Sequence, residues 1–481
     1  MNRSGLAWLA AMVVLLASGC VVDQAREVQT YREVLDAGQT QPPAPFSPNE
    51  SVTLKRALVL ANANNEQLAE SGEGYLQSLI NKDRAFARFL PTIRFAPTYM
   101  RQEKSSYAEG NSSISKFLRD KTLDAPLQGS MNVNPFQDAP ALWAATSKAE
   151  QQRALLLDQQ AILLLDVAQT YYQVMRSEKQ VEVLANSVKV QQQRVNDMDV
   201  QRRVGVARPV DVAQSEAQLA GTRNALIRAR NDVRNGRAML AQLMGVPLVE
   251  GELAGGFKVP SEIGSVDSLL PLADVQRQDL QAAMLQVKAA AEGLEAAWGG
   301  YFPSISLNLT RYLYRESFPD DVDWTGLIQV DLPIFSAGLV HANVRTAYSR
   351  LRQAHLAETG LRRMVLRELR VAVDNVTADA QQIKQLGVRL TSAREALRQA
   401  DAAYRAGLGT NLQRLIAQDQ LLSAELALTE EQFNHIVDYM RLLRVVGLLD
   451  VGLTPLPSPA EDDPAARNAR PGPMIGAPEI P

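Results

Sequence analysis

Cysteine and histidine, the residues that most often build disulfides and metal centres, are nearly absent from this chain. Its 481 residues contain one cysteine and three histidines. A single cysteine excludes an internal disulfide, so packing or assembly must supply the stability. The histidines, His341, His355 and His435, are scattered along the sequence, and no two stand at the spacing of a metal-ligand pair. We therefore expect no metal and no cofactor.

Catalytic motifs and an excess of charge are also lacking. The sequence contains no P-loop, no dinucleotide fingerprint after a strand and no HExxH motif, so we do not expect an enzyme. The formal net charge of -3 is close to balance. A balanced chain lacks the basic surface that binds phosphate backbones, which argues against a nucleic-acid partner.

The N-terminus has the pattern of an export signal. A basic residue, Arg3, precedes an apolar run from Leu6 to Leu16, which is too short to span a bilayer. Residues 1–19 are therefore predicted to be a signal peptide. Cys20 follows "LLASG", the position of the acylated cysteine in bacterial lipoprotein signals, and Cys20 is the predicted lipidation site. The alternative, that Cys20 is only the small residue of an ordinary signal, stays open.

The segments at the two ends carry no repeat. Residues 20–49 are interpreted as an N-terminal anchor segment. Val21, rather than an aspartate, follows the cysteine, and resemblance to bacterial sorting signals then favours the outer membrane. Residues 451–481 are rich in proline and small polar residues and lack apolar periodicity, so they are predicted to be a disordered tail.

The chain is internally duplicated. Leu68 and Pro91 match Leu280 and Pro303 at a shift of 212, and Gly205 matches Gly407 at a shift of 202. These matches predict two repeats, 50–250 and 267–450, joined by a linker at 251–266. Each repeat reads as helix, strand, strand, very long helix, glycine-containing turn and helix.

The predicted strands alternate apolar and polar residues. They lie at about 91–101, 126–134, 303–315 and 323–333, and Pro97 predicts a bulge or the end of the first one. A period of two places one face of each strand against apolar surroundings and the other against water. A half-buried sheet packed on helices is the alternative. The small number of strands beside so many amphipathic helical residues disfavours it.

The predicted helices are far longer than a globular domain needs. They cover about 137–203, 209–245, 337–404 and 410–447, and the first and third are each roughly 100 Å long at 1.5 Å per residue. Both carry heptad seams, which require partner helices. The seam positions are Leu157, Ala161, Leu164, Ala168, Tyr171 and Met175 in the first, and Leu366, Leu369, Val373, Val376, Ala380, Ile383, Gly387 and Leu390 in the second.

Two similar turns, "RVGVA" and "RAGLG", separate the helices of each repeat. Glycine supplies the backbone freedom for the reversal. Turn chemistry does not require the apolar residues beside each glycine, and exposed apolar groups framed by arginines are typical of a docking surface. The predicted contact residues are Arg203, Val204, Gly205, Val206, Ala207, Arg405, Ala406, Gly407, Leu408 and Gly409.

The duplicated plan, the "LP" or "FP" that enters each first strand and the two glycine turns resemble the TolC-like outer-membrane factor family over about residues 50–450. The resemblance implies a mainly α fold with membrane β-strands. It also implies a homotrimer that closes a twelve-stranded barrel, four strands from each subunit, above periplasmic coiled-coil helices. Trimerisation agrees with the physics, because four strands cannot close a barrel and open strand edges cannot face lipid.

The resemblance also implies function and partners. The chain is expected to be a lipid-anchored outer-membrane duct that extends into the periplasm and passively conducts small molecules. Its partners would be a periplasmic adaptor (membrane fusion protein) at the tip turns and an inner-membrane pump of the resistance-nodulation-division type. Asp211, Gln413 and Arg414 are the candidate gate residues just after the turns. A type I protein secretion duct and a structural coiled-coil lipoprotein tether are the alternatives.

Overall fold

The computed structural model describes residues 22–36, 44–103, 119–453 and 456. The predicted signal peptide, Cys20 and most of the predicted tail lie outside the described residues. In chain order the strands are β1 (Val52–Thr53), β2 (Thr92–Phe95), β3 (Thr98–Arg101), β4 (Lys121–Val133), β5 (Leu253–Ala254), β6 (Ser304–Arg315) and β7 (Trp324–Asp331). The helices are α1 (Gln24–Leu35), α2 (Leu54–Asn64), α3 (Glu66–Ala87), α4 (Pro135–Arg203), α5 (Pro209–Leu243), α6 (Val266–Gln276), α7 (Gln278–Gly299), α8 (Leu339–Arg405) and α9 (Asn411–Val446).

The chain divides into two units, each with its own internal contacts. The first consists of Met1–Val34, Ser71–Leu156 and Asp279–Arg362, and it contains the large sheet. The second consists of Leu35–Glu70, Leu157–Gln278 and Arg363–Pro481, and it contains both tip turns. The helices α4 and α8 have 69 and 67 residues. Each is therefore about 100 Å long at 1.5 Å per residue.

The sheet of the first unit is antiparallel, with strand order β2-β4-β6-β7. Both β2 and β3 pair with β4 in the same register and so occupy one position in the sheet. Between them the Ala96 N–H still donates to the Pro126 carbonyl at 3.2 Å, and the regular pairing is interrupted at Pro97. Proline has no N–H to donate, so it ends β2. The second strand was predicted to begin at about residue 126, which is too late, because β4 begins at Lys121. A register shift between Ala125 and Pro126 accommodates the proline inside the strand.

The two faces of this sheet differ sharply in polarity. Residues that pair across strands share a face, and one such row runs Arg94, Gln128, Thr310, Thr325. The next row, Ile93, Gly129, Leu309, Gly326, belongs to the opposite face. The apolar face is exposed in the single chain, with Ile328 reaching 72% exposure. Its apolar side chains are Ile93, Phe95, Leu127, Met131, Val133, Ile305, Leu307, Leu309, Trp324, Ile328 and Val330, and Arg311 lies on the same face between Leu127 and Trp324.

A buried tyrosine organises the second unit. The short strands β1 and β5 pair in parallel, and the Tyr171 hydroxyl lies 2.9 Å from the Val52 carbonyl oxygen and 2.8 Å from that of Ala254. Burial raises the pKa of Tyr171 above its ordinary value, so the hydroxyl remains a donor. β5 lies inside the predicted linker 251–266, where the sequence pattern gave no sign of a strand.

The heptad prediction is only partly right for both helices. In α4 the predicted positions Leu164, Ala168 and Tyr171 are buried, whereas Leu157, Ala161 and Met175 are half-buried. In α8 the predicted positions Leu366 and Val373 are only half-buried, and Ala380 is exposed. α8 carries apolar residues on two adjacent faces, and periodicity alone does not tell which face packs within the chain. The buried face is Val365, Leu369, Ala372, Val376 and Asp379.

Candidate functional site: the paired tip turns

The first turn ends α4 through hydrogen bonds that require a left-handed residue. Gly205 has φ +79°. The Val206 N–H donates to the Gln201 carbonyl at 2.9 Å, and the Gly205 N–H donates to that of Arg202 at 3.0 Å. This pair of bonds is the Schellman motif, which satisfies carbonyls that the helix end would leave open. Glycine adopts this conformation without the steric strain of a Cβ atom.

The second turn repeats this geometry. Gly407 has φ +74°, and the Leu408 N–H donates to the Ala403 carbonyl at 2.9 Å. Thr410 then caps α9 in a capping box. Its hydroxyl accepts from the Gln413 N–H at 3.2 Å, and the Gln413 side chain accepts from the Thr410 N–H at 2.9 Å. The same turn therefore arises twice from the same local chemistry.

Apolar side chains project from both turns. Val204, Val206 and Leu408 are 69%, 76% and 86% exposed. Arg203 and Ala406 are also exposed, whereas Ala207 and Gly409 are partly covered. Large apolar groups at a chain reversal contribute nothing to the turn itself, so this cluster has the character of a contact surface.

Arginines frame this surface, and most are held by nearby carboxylates. Arg202 and Arg203 both bind Asp199, the first at 2.8 Å. These contacts hold the pKa of Asp199 below its ordinary value. Arg208 binds Asp211 through two nitrogens at 3.0 and 3.1 Å. These ion pairs are largely exposed to solvent on the arginine side, beside the apolar residues.

A buried asparagine joins the two turns. Asn411, only 2% exposed, donates from Nδ2 to the Asp211 carbonyl at 3.1 Å and to the Ser215 hydroxyl at 3.3 Å. Its Oδ1 accepts from Arg414 at 2.8 Å. The Arg414 guanidinium also lies 4.3 Å from the ring centre of Tyr404, a cation–π contact. The starts of α5 and α9 are thus bound to each other within one chain.

A second cross-contact lies just inside the turns. Arg194 of α4 binds Asp401 of α8 at 3.2 Å and Gln418 of α9. Burial lowers the pKa of Arg194 below its ordinary value, and Asp401 opposes that shift. Arg194, Asp401, Tyr404 and Asn411 were not among the residues predicted to be functional. Each lies several residues from its glycine, and only the fold brings them together.

The three candidate gate residues occupy different environments. Asp211 is buried and bound to Arg208. Arg414 is buried and bound to Asn411. Gln413 is exposed, and its side chain is used in the capping box. The fold brings Asp211 and Arg414 together through Asn411, and it does not bring Gln413 into this group.

Within residues 22–36, 44–103 and 119–453, no group of three or more His, Cys, Asp or Glu side chains is placed to hold a metal ion. No helix in this part of the chain is both long enough and apolar enough to cross a membrane.

The described residues thus include long helices that end in exposed apolar turns and a sheet that exposes one apolar face. The model of a family described as "Outer membrane efflux protein" matches residues 58–246 and 269–448. The chain therefore belongs to the outer membrane efflux protein family, and its resemblance to TolC-like factors is confirmed.

Related proteins share low sequence identity with this chain, 20–26% in the three examples below, but match 60–84% of its length. The toluene efflux pump outer membrane protein TtgC of Pseudomonas putida is 26% identical over 298 residues, 60% of this chain and 61% of the relative. The chain thus spans about three fifths of that relative's length. Outer membrane protein TolC of Escherichia coli is 22% identical to this chain over an alignment that covers 84% of this chain and 83% of TolC. The solved structure of VceC from Vibrio cholerae superposes with a TM-score of 0.72 at 20% identity, covering 82% of this chain and 96% of that one.

Proposed function

We propose that this chain is the outer-membrane duct of a tripartite export system and conducts small molecules passively. The observation that carries the proposal is the large sheet with one exposed apolar face and one polar face. Ile328 and Val330, which are 72% and 63% exposed, would be stable against lipid but unfavourable against water. Membership of an efflux family agrees with this use.

The same sheet supports assembly of three copies. Among the described strands, the order β2-β4-β6-β7 leaves one edge at β2 and β3 and the other at β7. Open edges in hydrocarbon leave N–H and C=O groups without partners, so closure needs strands from other copies. Three copies give a twelve-stranded barrel with the polar face turned inward, and that face would wet the lumen. Its residues include Thr92, Arg94, Gln128, Ser130, Asn132, Ser306, Asn308, Thr310, Thr325 and Gln329.

The tip turns are the proposed contact with the periplasmic adaptor. Val204, Val206 and Leu408 offer exposed apolar groups, and Gly205 and Gly407 hold the turns in shape. Asp211 and Arg414, joined through Asn411, would take part in the gate that opens when the adaptor and a resistance-nodulation-division pump dock. Acylation of Cys20 would anchor the N-terminus in the outer membrane. The toluene efflux function named for one relative favours small-molecule cargo.

Deletion of the gene tests the proposal in the native host. The expected result is increased sensitivity to several small toxic compounds and an unchanged set of secreted proteins, restored by the wild-type gene. Loss of a secreted protein without any new drug sensitivity would favour the type I secretion duct. A purified protein that is an all-helical dimer, and that forms no pores in planar lipid bilayers, would favour the tether and refute the duct.

A further inference from the structure

A buried pair of polar atoms lacks hydrogen bonds between α8 and α9. Asp379 of α8 is 7% exposed, and its Oδ2 has no hydrogen-bond partner in the described part of the chain. The Nδ1 of His435 on α9 is 3.9 Å away and is likewise buried without a hydrogen bond. Buried polar atoms are nearly always satisfied, so this contact differs from the helix packing around it.

Two carboxylates flank the same contact on α9. Glu431 lies four residues before His435 and Asp438 lies three residues after it, a spacing that puts all three on one helix face. With Asp379 they bring three carboxyl groups and one imidazole together. Mutual repulsion disfavours ionisation of all three carboxyl groups at once.

The neighbouring cations act at the edge of this cluster. Arg441, one turn further along α9, binds Asp438 at 2.6 Å. Arg176 of α4 is directed to the other side, where it contacts Glu430 at 3.5 Å and the Asn434 side chain at 3.4 Å. Among the described residues, neither these arginines nor any lysine forms an ion pair with the Asp379 carboxylate.

These surroundings determine the protonation states of Asp379 and His435. Burial, and then the charges of Asp438 and Glu431, raise the pKa of Asp379 to about 7. Burial lowers the pKa of His435 below its ordinary value, although Glu431 and Asp438 oppose that shift. Near neutral pH the imidazole is therefore uncharged, and Asp379 is the group that gains or loses a proton.

We propose that Asp379, Glu431, His435 and Asp438 form a proton-dependent lock between α8 and α9. The neutral Asp379 carboxyl donates a hydrogen bond within the cluster and relieves the repulsion. The ionised carboxyl leaves three negative charges in a poorly hydrated contact, so α8 and α9 separate more readily.

The direction of the pH effect follows from linkage. The closed contact binds the Asp379 proton more tightly than a locally opened, solvated state does. This proton therefore stabilises the closed contact fully below the ordinary aspartate pKa of 3.8. The stabilisation is lost progressively as the pH rises to about 7. For these values, local opening should become about tenfold more frequent between pH 6 and pH 8. Protonation of His435 in the open state at pH 6 works in the opposite direction by up to about fourfold.

Hydrogen exchange of the full-length purified protein in detergent, measured at pH 6, 7 and 8 with EDTA present, tests the lock. Rates are divided by the intrinsic rate at each pH, and amides near residues 376–383 and 431–438 are compared with amides near 390–400. For wild type we expect protection around the cluster to fall about threefold to tenfold from pH 6 to pH 8. In His435→Gln the fall in protection should be close to tenfold, because the opposing protonation of His435 is removed.

Two aspartate substitutions distinguish the effect of the proposed lock from the general stability of the helices. Asp379→Asn should remove the fall in protection between pH 6 and pH 8 and retain high protection at pH 8, leaving only the opposite His435 effect of up to about fourfold. Asp374→Asn changes an exposed carboxylate on the same helix and should behave as wild type. A flat wild-type profile, or an unchanged slope in Asp379→Asn, would overturn the proposal. This readout reports helix packing and does not depend on whether the chain conducts.

Discussion

Replacing Asn411 by alanine tests whether the two tip turns hold each other. Asn411 makes two neutral hydrogen bonds, to Asp211 and Ser215, and one with the charged Arg414. Neutral bonds contribute about 0.5–1.5 kcal/mol each and a bond to a charged group about 1.5–3 kcal/mol. Alanine has a better helix propensity than asparagine, which offsets about 0.5 kcal/mol of this loss. The expected net loss is therefore about 2–5.5 kcal/mol of local stability.

Hydrogen exchange at the tips measures this loss. A difference of about 2–5.5 kcal/mol corresponds to about 30-fold to 10,000-fold more frequent opening of the first turns of α5 and α9. The matched control is Thr410→Ala, which removes the capping box but leaves the cross-contact intact. A lost cap costs about 1 kcal/mol, or roughly fivefold in exchange, and should affect α9 alone. If Asn411→Ala exchanged no faster than Thr410→Ala, or left α5 unchanged, the turns would not depend on this residue.

Other substitutions test the turns, the buried tyrosine and the sheet. Gly205→Val or Gly407→Val puts a β-branched residue at positive φ. Each should abolish export in a complementation assay while leaving the trimer intact on gels, and normal export would contradict the docking role. Tyr171→Phe removes the donor to the β1 and β5 carbonyls and should lower the free energy of unfolding by about 1–3 kcal/mol in denaturant titrations; no change would show that water replaces it. Ile328→Lys should lower folding stability in lipid by about 2–4 kcal/mol, whereas Gln329→Lys on the opposite face should not; equal losses would contradict the assigned faces.

The local elements could be predicted because their causes are local. Alternation in "GSMNV" and in "GLIQVDL" belongs to strands β4 and β7. The glycines of "RVGVA" and "RAGLG" adopt positive φ, and the helix bounds differ from the predicted ones by at most two residues. Periodicity, capping and glycine chemistry act within a few residues, so a single sequence contains the whole signal.

Predictions failed or were absent where distant segments meet. No local pattern indicated that β5 would pair with β1, because two residues are too few for a period. Of the eight predicted seam positions in α8, only Leu369 and Val376 are buried, since Leu366 and Val365 are equally apolar neighbours and only packing selects the buried face. The gate prediction chose residues by their distance from the glycine and so passed over Asn411, which lies between Gly407 and Gln413.

By itself, the sequence determined the type, order and duplication of the elements, the two faces of the sheet and the shape of each turn. All of these follow from torsional preferences and from the period at which apolar residues recur. The tertiary structure decided which side chains meet across elements. Asn411 lies 200 residues from the Asp211 carbonyl that it binds, and Asp379 lies 56 residues from His435. No local preference specifies such pairs, because they exist only after long helices have packed in one register.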